Sequence, residues 1–310
     1  MKILVTGGNG QLGQCISEEI SNHQRKDDFV FLDHHSFDIT NELQVCQYLD
    51  HNDVECIINC AAYTDVDGSE SNYEMAYKVN VMGSCVLSYQ AFKRGISLIH
   101  ISTDFVTPKH NNKPLKPNSS ILADKIPNSY GRTKYIGETE IIQNHRRCKR
   151  YGNYKIVRTS WLYSEYGKNF VKTMLGKIQN GTECKVVDDQ IGTPTYARDL
   201  AVFLIELSTN CSKWGDDNRI IHFSNTGAIS WFDFAKEIQR IYNVETGNIS
   251  NLIFPCSSSQ FTRPAKRQHY SVLDKRDTEE IISKYGFTKL AYWQESLEKC
   301  IVNLTKKGED

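Results

Sequence analysis

The chain of 310 residues carries 37 lysines and arginines against 37 aspartates and glutamates, so no broad field would hold it on nucleic acid or an anionic membrane. Its length suits one large α/β domain with a smaller appended lobe, and no apolar stretch approaches the roughly 20 residues that span a bilayer. The opening MKILVTGGNGQLGQ lacks a signal-peptide core, and the ten cysteines form no C-x-x-C pair, so a cytoplasmic protein with reduced thiols is expected, without nucleic-acid or membrane partners.

In chain order, Ile3-Leu4-Val5, the glycines after it and the amphipathic stretch Leu12–Ile20 read as strand, tight turn and helix. Short strands are predicted at Phe29–Leu32, Glu55–Asn59, Ser97–Ser102 and Tyr154–Arg158, with helix-length segments at Asn41–Leu49 and Tyr73–Phe92 between them. Such alternation implies a parallel, doubly wound sheet. The stretch Asn111–Asn128 has no periodicity and reads as a mobile loop, placed to act as a lid. The basic run His145–Arg150 falls where a helix should end, which suits the helix dipole. Past residue 160 the pattern changes to a helix at Phe170–Ile178, a strand at Lys185–Val187, a turn at Gly192-Thr193-Pro194 and a helix from Ala197, as for a substrate lobe interleaved with the sheet. The tail Lys306–Asp310 reads as frayed.

Thr6-Gly7-Gly8-Asn9-Gly10-Gln11-Leu12-Gly13 spaces Gly7, Gly10 and Gly13 as G-x-x-G-x-x-G at the first strand-to-helix junction. There the backbone must approach a pyrophosphate and the helix must pack closely on the sheet, which predicts dinucleotide binding by Gly7, Asn9, Gly10, Gln11, Leu12 and Gly13. Asp33 closes the second strand, where a carboxylate can accept from the adenosine ribose hydroxyls and favour NADH. His34 and His35 beside it could instead neighbour a 2′-phosphate, leaving NADPH open. Asp38 and Ile39 are placed to meet the adenine, although Asp38 also suits a helix cap. Cys60, Ala61 and Ala62 leave the third strand with small side chains that let backbone sit against the cofactor.

Tyr130 and Lys134 stand four residues apart, on one face if the segment is helical. A phenol near its usual pKa of about 10 exchanges protons poorly at neutrality, and Lys134 is the cation expected to lower it. Thr103 ends the fourth predicted strand, at the carboxyl edge where open α/β sheets place ligands, and can share a substrate carbonyl with Tyr130.

Gly7/Gly10/Gly13, Asn59-Cys60-Ala61-Ala62, Asn80, Ser102-Thr103-Asp104 and Tyr130-Gly131-Arg132-Thr133-Lys134 together resemble the extended short-chain dehydrogenase/reductases. Within them, Ala61–Asp67, Arg158–Tyr163 and Val187–Thr195, then Tyr270–Asp274 and Tyr292–Gln294, resemble the dTDP-4-dehydrorhamnose reductase family over nearly the whole chain. The resemblance implies a Rossmann-type α/β fold, with an NAD(P)-binding domain at 1–160 and a smaller C-terminal substrate-binding lobe at 161–310, partly interleaved with the sheet. It implies reduction of a nucleotide-activated 4-keto sugar, dTDP-4-dehydro-L-rhamnose, by NADPH or NADH. Tyr130 would be the proton donor, Lys134 would also hold the nicotinamide ribose, and Tyr63 and Asn80 would join the cofactor site. Val66, Thr103, Asp104, Tyr130 and Trp161 would line the sugar pocket, and a homodimer is compatible.

The chain departs from the family pattern at three places. Thr103-Asp104-Phe105-Val106-Thr107-Pro108-Lys109 has Phe105 where a tyrosine is usual, and Gln268 replaces a proline after Lys266-Arg267. Cys15 stands where some members place a glutamate ligand of an intersubunit magnesium ion, so no metal is expected. Sugar-nucleotide dehydratases and 4-epimerases share the scaffold. A dehydratase would need an acid/base glutamate where Phe105 stands, and an epimerase would retain NAD. A non-catalytic regulatory subunit, like that of methionine adenosyltransferase, is a third alternative, disfavoured by the joint presence of Thr103, Tyr130 and Lys134.

Overall fold

The structure, a computed structural model, describes residues 1–21, 23–108, 112–148, 152–215, 217 and 219–306. Asn111 of the expected loop, Lys109, the Lys149-Arg150 end of the basic run and residues 307–310 of the tail lie outside the described residues. Strands β1 (Lys2–Thr6), β2 (Phe29–Leu32), β3 (Val54–Asn59), β4 (Ser97–Thr103), β5 (Tyr154–Thr159) and the strand Ile220–His222 form one sheet. The order runs from Ile220–His222 through β5, β4, β3 and β1 to β2, every neighbouring pair parallel.

Parallel strands covered on both faces are apolar along their length, and β3, reading VECIIN, buries every position except Glu55. Alternate residues of β1 serve opposite layers. Ile3 and Val5 pack under helix α1 (Gln11–Ser21) and the helix Ala197–Thr209, through Leu12, Ile16, Leu200 and Phe203. Leu4 faces the other layer, with Val45 and Leu49 of helix α2 (Glu42–His51), Leu87 and Phe92 of the helix Ser84–Lys93, and Ile141 of the helix Ser129–Arg147. A second core gathers the helices Phe170–Gln179, Trp231–Thr246 and Trp293–Lys306. These pack around the parallel strand pair Cys184–Val187 and Ile253–Cys256. Residues beyond 160 serve both cores, because Ala197–Thr209 and Ile220–His222 return to the large sheet. Among the described residues, no helix is long and apolar enough to cross a membrane.

Two expectations need correction. The segment Tyr73–Phe92 is not one helix: Tyr73–Tyr77 passes into a wider π turn at Lys78–Gly83 before the helix Ser84–Lys93. Asn80 sits inside that turn, and such turns characteristically mark functional positions. The loop read as mobile is tied to the C-terminal segment at Leu115. Leu115 donates its N–H to Val272 O at 2.9 Å and accepts from Asp274 N–H at 2.8 Å, and Leu115, Ile121 and Ile126 bury against Val106 and Leu273. Its apolar residues are irregularly spaced because they join a small cluster with Val106 and Leu273 without forming a helix or strand, which no periodic pattern signals.

The helix Ser129–Arg147 is started by Asn128, whose side chain accepts from Gly131 N–H at 2.8 Å. One turn past Lys134, its Glu138 forms a two-pronged ion pair with Arg158 of β5, at 2.9 and 2.6 Å, and accepts from Ser102 Oγ at 2.5 Å. Both charged side chains are almost wholly buried. Removing one partner of such a pair strands the other charge. Arg158→Met should therefore destabilise the protein by about 3–5 kcal/mol in denaturant titration, and a loss below about 1 kcal/mol would contradict this role for the pair.

Candidate active site

The glycine turn is shaped by backbone crowding. Gly7 has φ of +69°, and a Cβ there would lie 2.8 Å from Ala61 N, while one on Gly13 would lie 2.5 Å from Gly7 O. The turn thus abuts the small residues Cys60, Ala61 and Ala62 that leave β3, and α1 opens with no acidic side chain in its first turn. This cradle fits an anionic pyrophosphate. Leu12 is buried beneath α1, and Gln11 accepts from Asn169 Nδ2 at 3.2 Å, joining the turn to the second lobe.

Asn9 Nδ2 donates to Asp33 Oδ2 at 2.6 Å, and Asp33 Oδ1 accepts from Ser36 Oγ at 2.8 Å. Hydrogen bonds from the Ser36 backbone N–H and then its hydroxyl hold the exposed Asp33 carboxyl below its ordinary pKa, so it meets a ligand as an anion. The rings of His34 and His35 lie tilted against each other, 3.7 Å between centroids. Asp38 is engaged locally, accepting from Thr40 N–H at 2.9 Å and Thr40 Oγ1 at 2.8 Å, while the cap of α2 is Asn41. Ile39 is buried against Gly83. Asn80 is likewise used within the protein: it accepts from Tyr63 N–H at 2.9 Å and donates to Tyr63 O at 3.2 Å and Thr133 Oγ1 at 3.1 Å. It ties the segment after β3 to the helix bearing Tyr130.

Thr103, Asp104, Tyr130 and Lys134 come together, all buried, where β4 ends against that helix. The expected coupling of Lys134 to the phenol needs correction. Lys134 Nζ donates to Ile101 O at 2.7 Å and lies 3.4 Å from His100 Nε2, turned toward the sheet. Burial pushes Tyr130 up to about 12, against the pull of a hydrogen bond with Thr103, and the Asp104 charge adds to the rise. Burial also brings Lys134 down to about 8, against the opposing pull of Glu138 and Cys60. Tyr130 therefore stays protonated, the form a proton donor needs. Asp104 is raised to about 6 by burial, moderated by hydrogen bonds with Ser271 and Thr103. The Thr103 hydroxyl donates to Asp104 Oδ1 and accepts from Phe105 N–H, each at 3.2 Å.

Trp161 adopts φ of +47°, unusual for a residue with a side chain. Its ring stacks on Trp231 at 3.6 Å between centroids, and a Cβ on Gly192 would lie 2.5 Å from it. Val66 is half-buried in the turn before the short helix Gly68–Ser71. Cys15 is wholly inside the core, its thiol pushed up to about 12 chiefly by burial.

The two substitutions beside the site meet each other. Phe105 packs edge-on to Tyr130 at 5.4 Å, under the Arg267 guanidinium at 5.5 Å. Gln268 donates through Nε2 to Phe105 O at 2.9 Å and Thr107 O at 3.2 Å, clamping the segment after Thr103. Sequence reasoning noticed the lost proline but not this clamp, since its partners are backbone carbonyls. Gln268→Ala leaves both carbonyls without it and should cost about 1–3 kcal/mol in thermal or denaturant unfolding. No measurable loss would show the clamp to be idle.

Comparison with known proteins gives one family. The RmlD substrate binding domain model matches residues 1–306. The dTDP-4-dehydrorhamnose reductase of Mycobacterium tuberculosis is 34% identical over 301 residues, covering 96% of this chain and 91% of the relative. Among solved structures, the Clostridium acetobutylicum dTDP-4-dehydrorhamnose reductase superposes with a TM-score of 0.84 at 35% identity, covering 98% of this chain and 100% of that one. The Bacillus anthracis enzyme, solved in complex with NADP, superposes with a TM-score of 0.83 at 35% identity over the same shares. With the glycine cradle, Thr103, Tyr130 and Lys134 in place on this sheet, the chain belongs to the dTDP-4-dehydrorhamnose reductase family.

Proposed function

We propose that this protein reduces the 4-keto group of dTDP-4-dehydro-L-rhamnose to give dTDP-L-rhamnose, using NADPH or NADH. The observation that carries the reading is a buried Tyr130, kept protonated beside Thr103 at the carboxyl edge of the sheet, one helical turn from Lys134. Residues 1–160 would hold the dinucleotide and 161–310 the sugar nucleotide, with the interleaved elements joining them.

The nicotinamide cofactor, when bound, supplies the hydride that reduces the carbonyl carbon. Gly7, Gly10 and Gly13 would bring backbone and the α1 terminus to the pyrophosphate, and Asp33 would accept from the adenosine ribose. Thr103 and Tyr130 hold the keto oxygen between them, and Tyr130 gives its phenolic proton to the oxygen as negative charge develops there. Lys134, whose Nζ donates to Ile101 O, would supply positive charge to the loaded site and hold the nicotinamide ribose. Trp161, held by Trp231 and Gly192, forms one wall for the sugar. Phe105 occupies the position from which a dehydratase would transfer protons, and its ring transfers none.

The test mixes the protein with enzymatically prepared dTDP-4-dehydro-L-rhamnose and each reduced nicotinamide, following loss of the reduced cofactor's absorbance. Wild type should oxidise it. Tyr130→Phe should fall by about 10²–10⁴-fold in kcat while retaining cofactor binding, and silence of wild type with both cofactors overturns the reading. Removing the Asp33 carboxylate also removes repulsion toward a 2′-phosphate. Asp33→Ser should shift the NADPH/NADH ratio of kcat/KM toward NADPH by on the order of tenfold, and an unchanged ratio would show that Asp33 does not read the ribose.

A further inference from the structure

A line of buried polar groups runs beneath the site from the glycine turn to Lys134. Thr6 Oγ1 donates to Asn59 Oδ1 at 2.7 Å, Asn59 Nδ2 lies 3.0 Å from His100 Nδ1, and His100 Nε2 lies 3.4 Å from Lys134 Nζ. Thr6, Asn59, His100 and Lys134 are all at most 2% exposed, on β1, β3, β4 and the catalytic helix.

The direction of this line follows from one group that has no choice. Ala61 N–H, a donor only, points at an Asn59 side-chain atom 3.2 Å away, so that atom must be the amide oxygen. The amide nitrogen then faces His100 and donates to Nδ1. A ring nitrogen that accepts carries no proton, so neutral His100 must carry its proton on Nε2. The opposite tautomer would set Nδ1–H against the Asn59 amide hydrogens at 3.0 Å in a site without solvent.

We propose that His100 is a positioning residue for Lys134, held by Asn59 in the tautomer that presents Nε2–H to Lys134 Nζ. A neutral amine there can donate to Ile101 O and accept from His100. An ammonium meets the positive end of an N–H dipole. The other charged or titratable groups acting on Lys134 are Glu138 on its own helix and the Cys60 thiol beyond β3. Glu138 and Cys60 favour the ammonium. Burial and the Lys134 charge keep His100 itself well below its ordinary pKa, so the imidazole stays neutral and retains its tautomer across the working range. His100 thereby opposes the ammonium, and the alkaline limb of activity falls where Lys134 loses its proton.

Two substitutions should reverse this. Asn59→Asp places a carboxylate oxygen opposite Nδ1, draws the proton there and leaves Nε2 as an acceptor for the ammonium. His100→Gln can turn its carbonyl oxygen to Lys134. Each should move the alkaline limb of kcat/KM upward by roughly one unit. The kinetic arm rests on the reductase reading, whereas the spectroscopic arm does not. In ¹⁵N–¹H spectra of the whole protein, the imidazole signals absent from His100→Gln belong to His100. Wild type should show a protonated Nε2 and an unprotonated Nδ1, with the two exchanged in Asn59→Asp. A protonated Nδ1 in wild type overturns the proposal whatever the activity, as does an unmoved limb in both folded, active variants. If the variants do not fold, uniform ¹⁵N labelling and through-bond assignment of wild type alone decide it by the same criterion.

Discussion

The helix carrying Tyr130 is held to the sheet by hydrogen bonds more than by oil, and the active site depends on that. Most of its buried positions are polar, glycine or aromatic, with Ile141 its one buried aliphatic residue. Lys134 meets Ile101 O, Glu138 meets Ser102 and Arg158, Thr133 meets Asn80, and Asn144 meets Cys85 O and Ser88. Hydrogen bonds have direction where apolar contacts do not, so this helix has a single rotation and a single depth against β4 and β5. Tyr130 and Thr103 inherit their relative placement from that constraint. Gly131 and Gly137 permit the approach, since a Cβ on either would collide with the backbone of Phe105 or Asn80.

The same network reaches the second lobe. Arg158 Nη1 lies 3.5 Å from His222 Nε2, and His222 Nδ1–H donates to Asp274 O at 3.0 Å, beside the strand-like pairing of Leu115. Burial, aided by the Arg158 charge, holds His222 down to about 3, so it remains a neutral link. Gln268 adds a second tie from the C-terminal segment to Phe105 and Thr107. The segment after Thr103 and the loop at Leu115 are therefore both braced by one C-terminal stretch, residues 268–274.

Much of this was legible in the sequence. The apolar runs of β1 to β5 stood out because parallel strands are buried on both faces, and the glycine turn because only glycine tolerates the approach to Ala61. The i,i+4 spacing placed Tyr130 and Lys134 on one face but could not say that Nζ turns toward Ile101 O, which depends on where β4 lies. The π turn at Lys78–Gly83 was hidden because its composition is that of an ordinary helix. Asp38 and Asn80 carried the residue types of ligand contacts, yet their side chains are used by Thr40, Tyr63 and Thr133, partners that only the fold brings near.

This arrangement is suited to deliver hydride and proton to one carbonyl of a sugar nucleotide. The most direct measurement is product analysis by ¹H NMR after turnover of dTDP-4-dehydro-L-rhamnose with nicotinamide cofactor deuterated at the transferring position. One deuterium is expected, at C4, in a product with the rhamnose configuration. Deuterium at another carbon, a different C4 configuration, or unchanged keto sugar would contradict it.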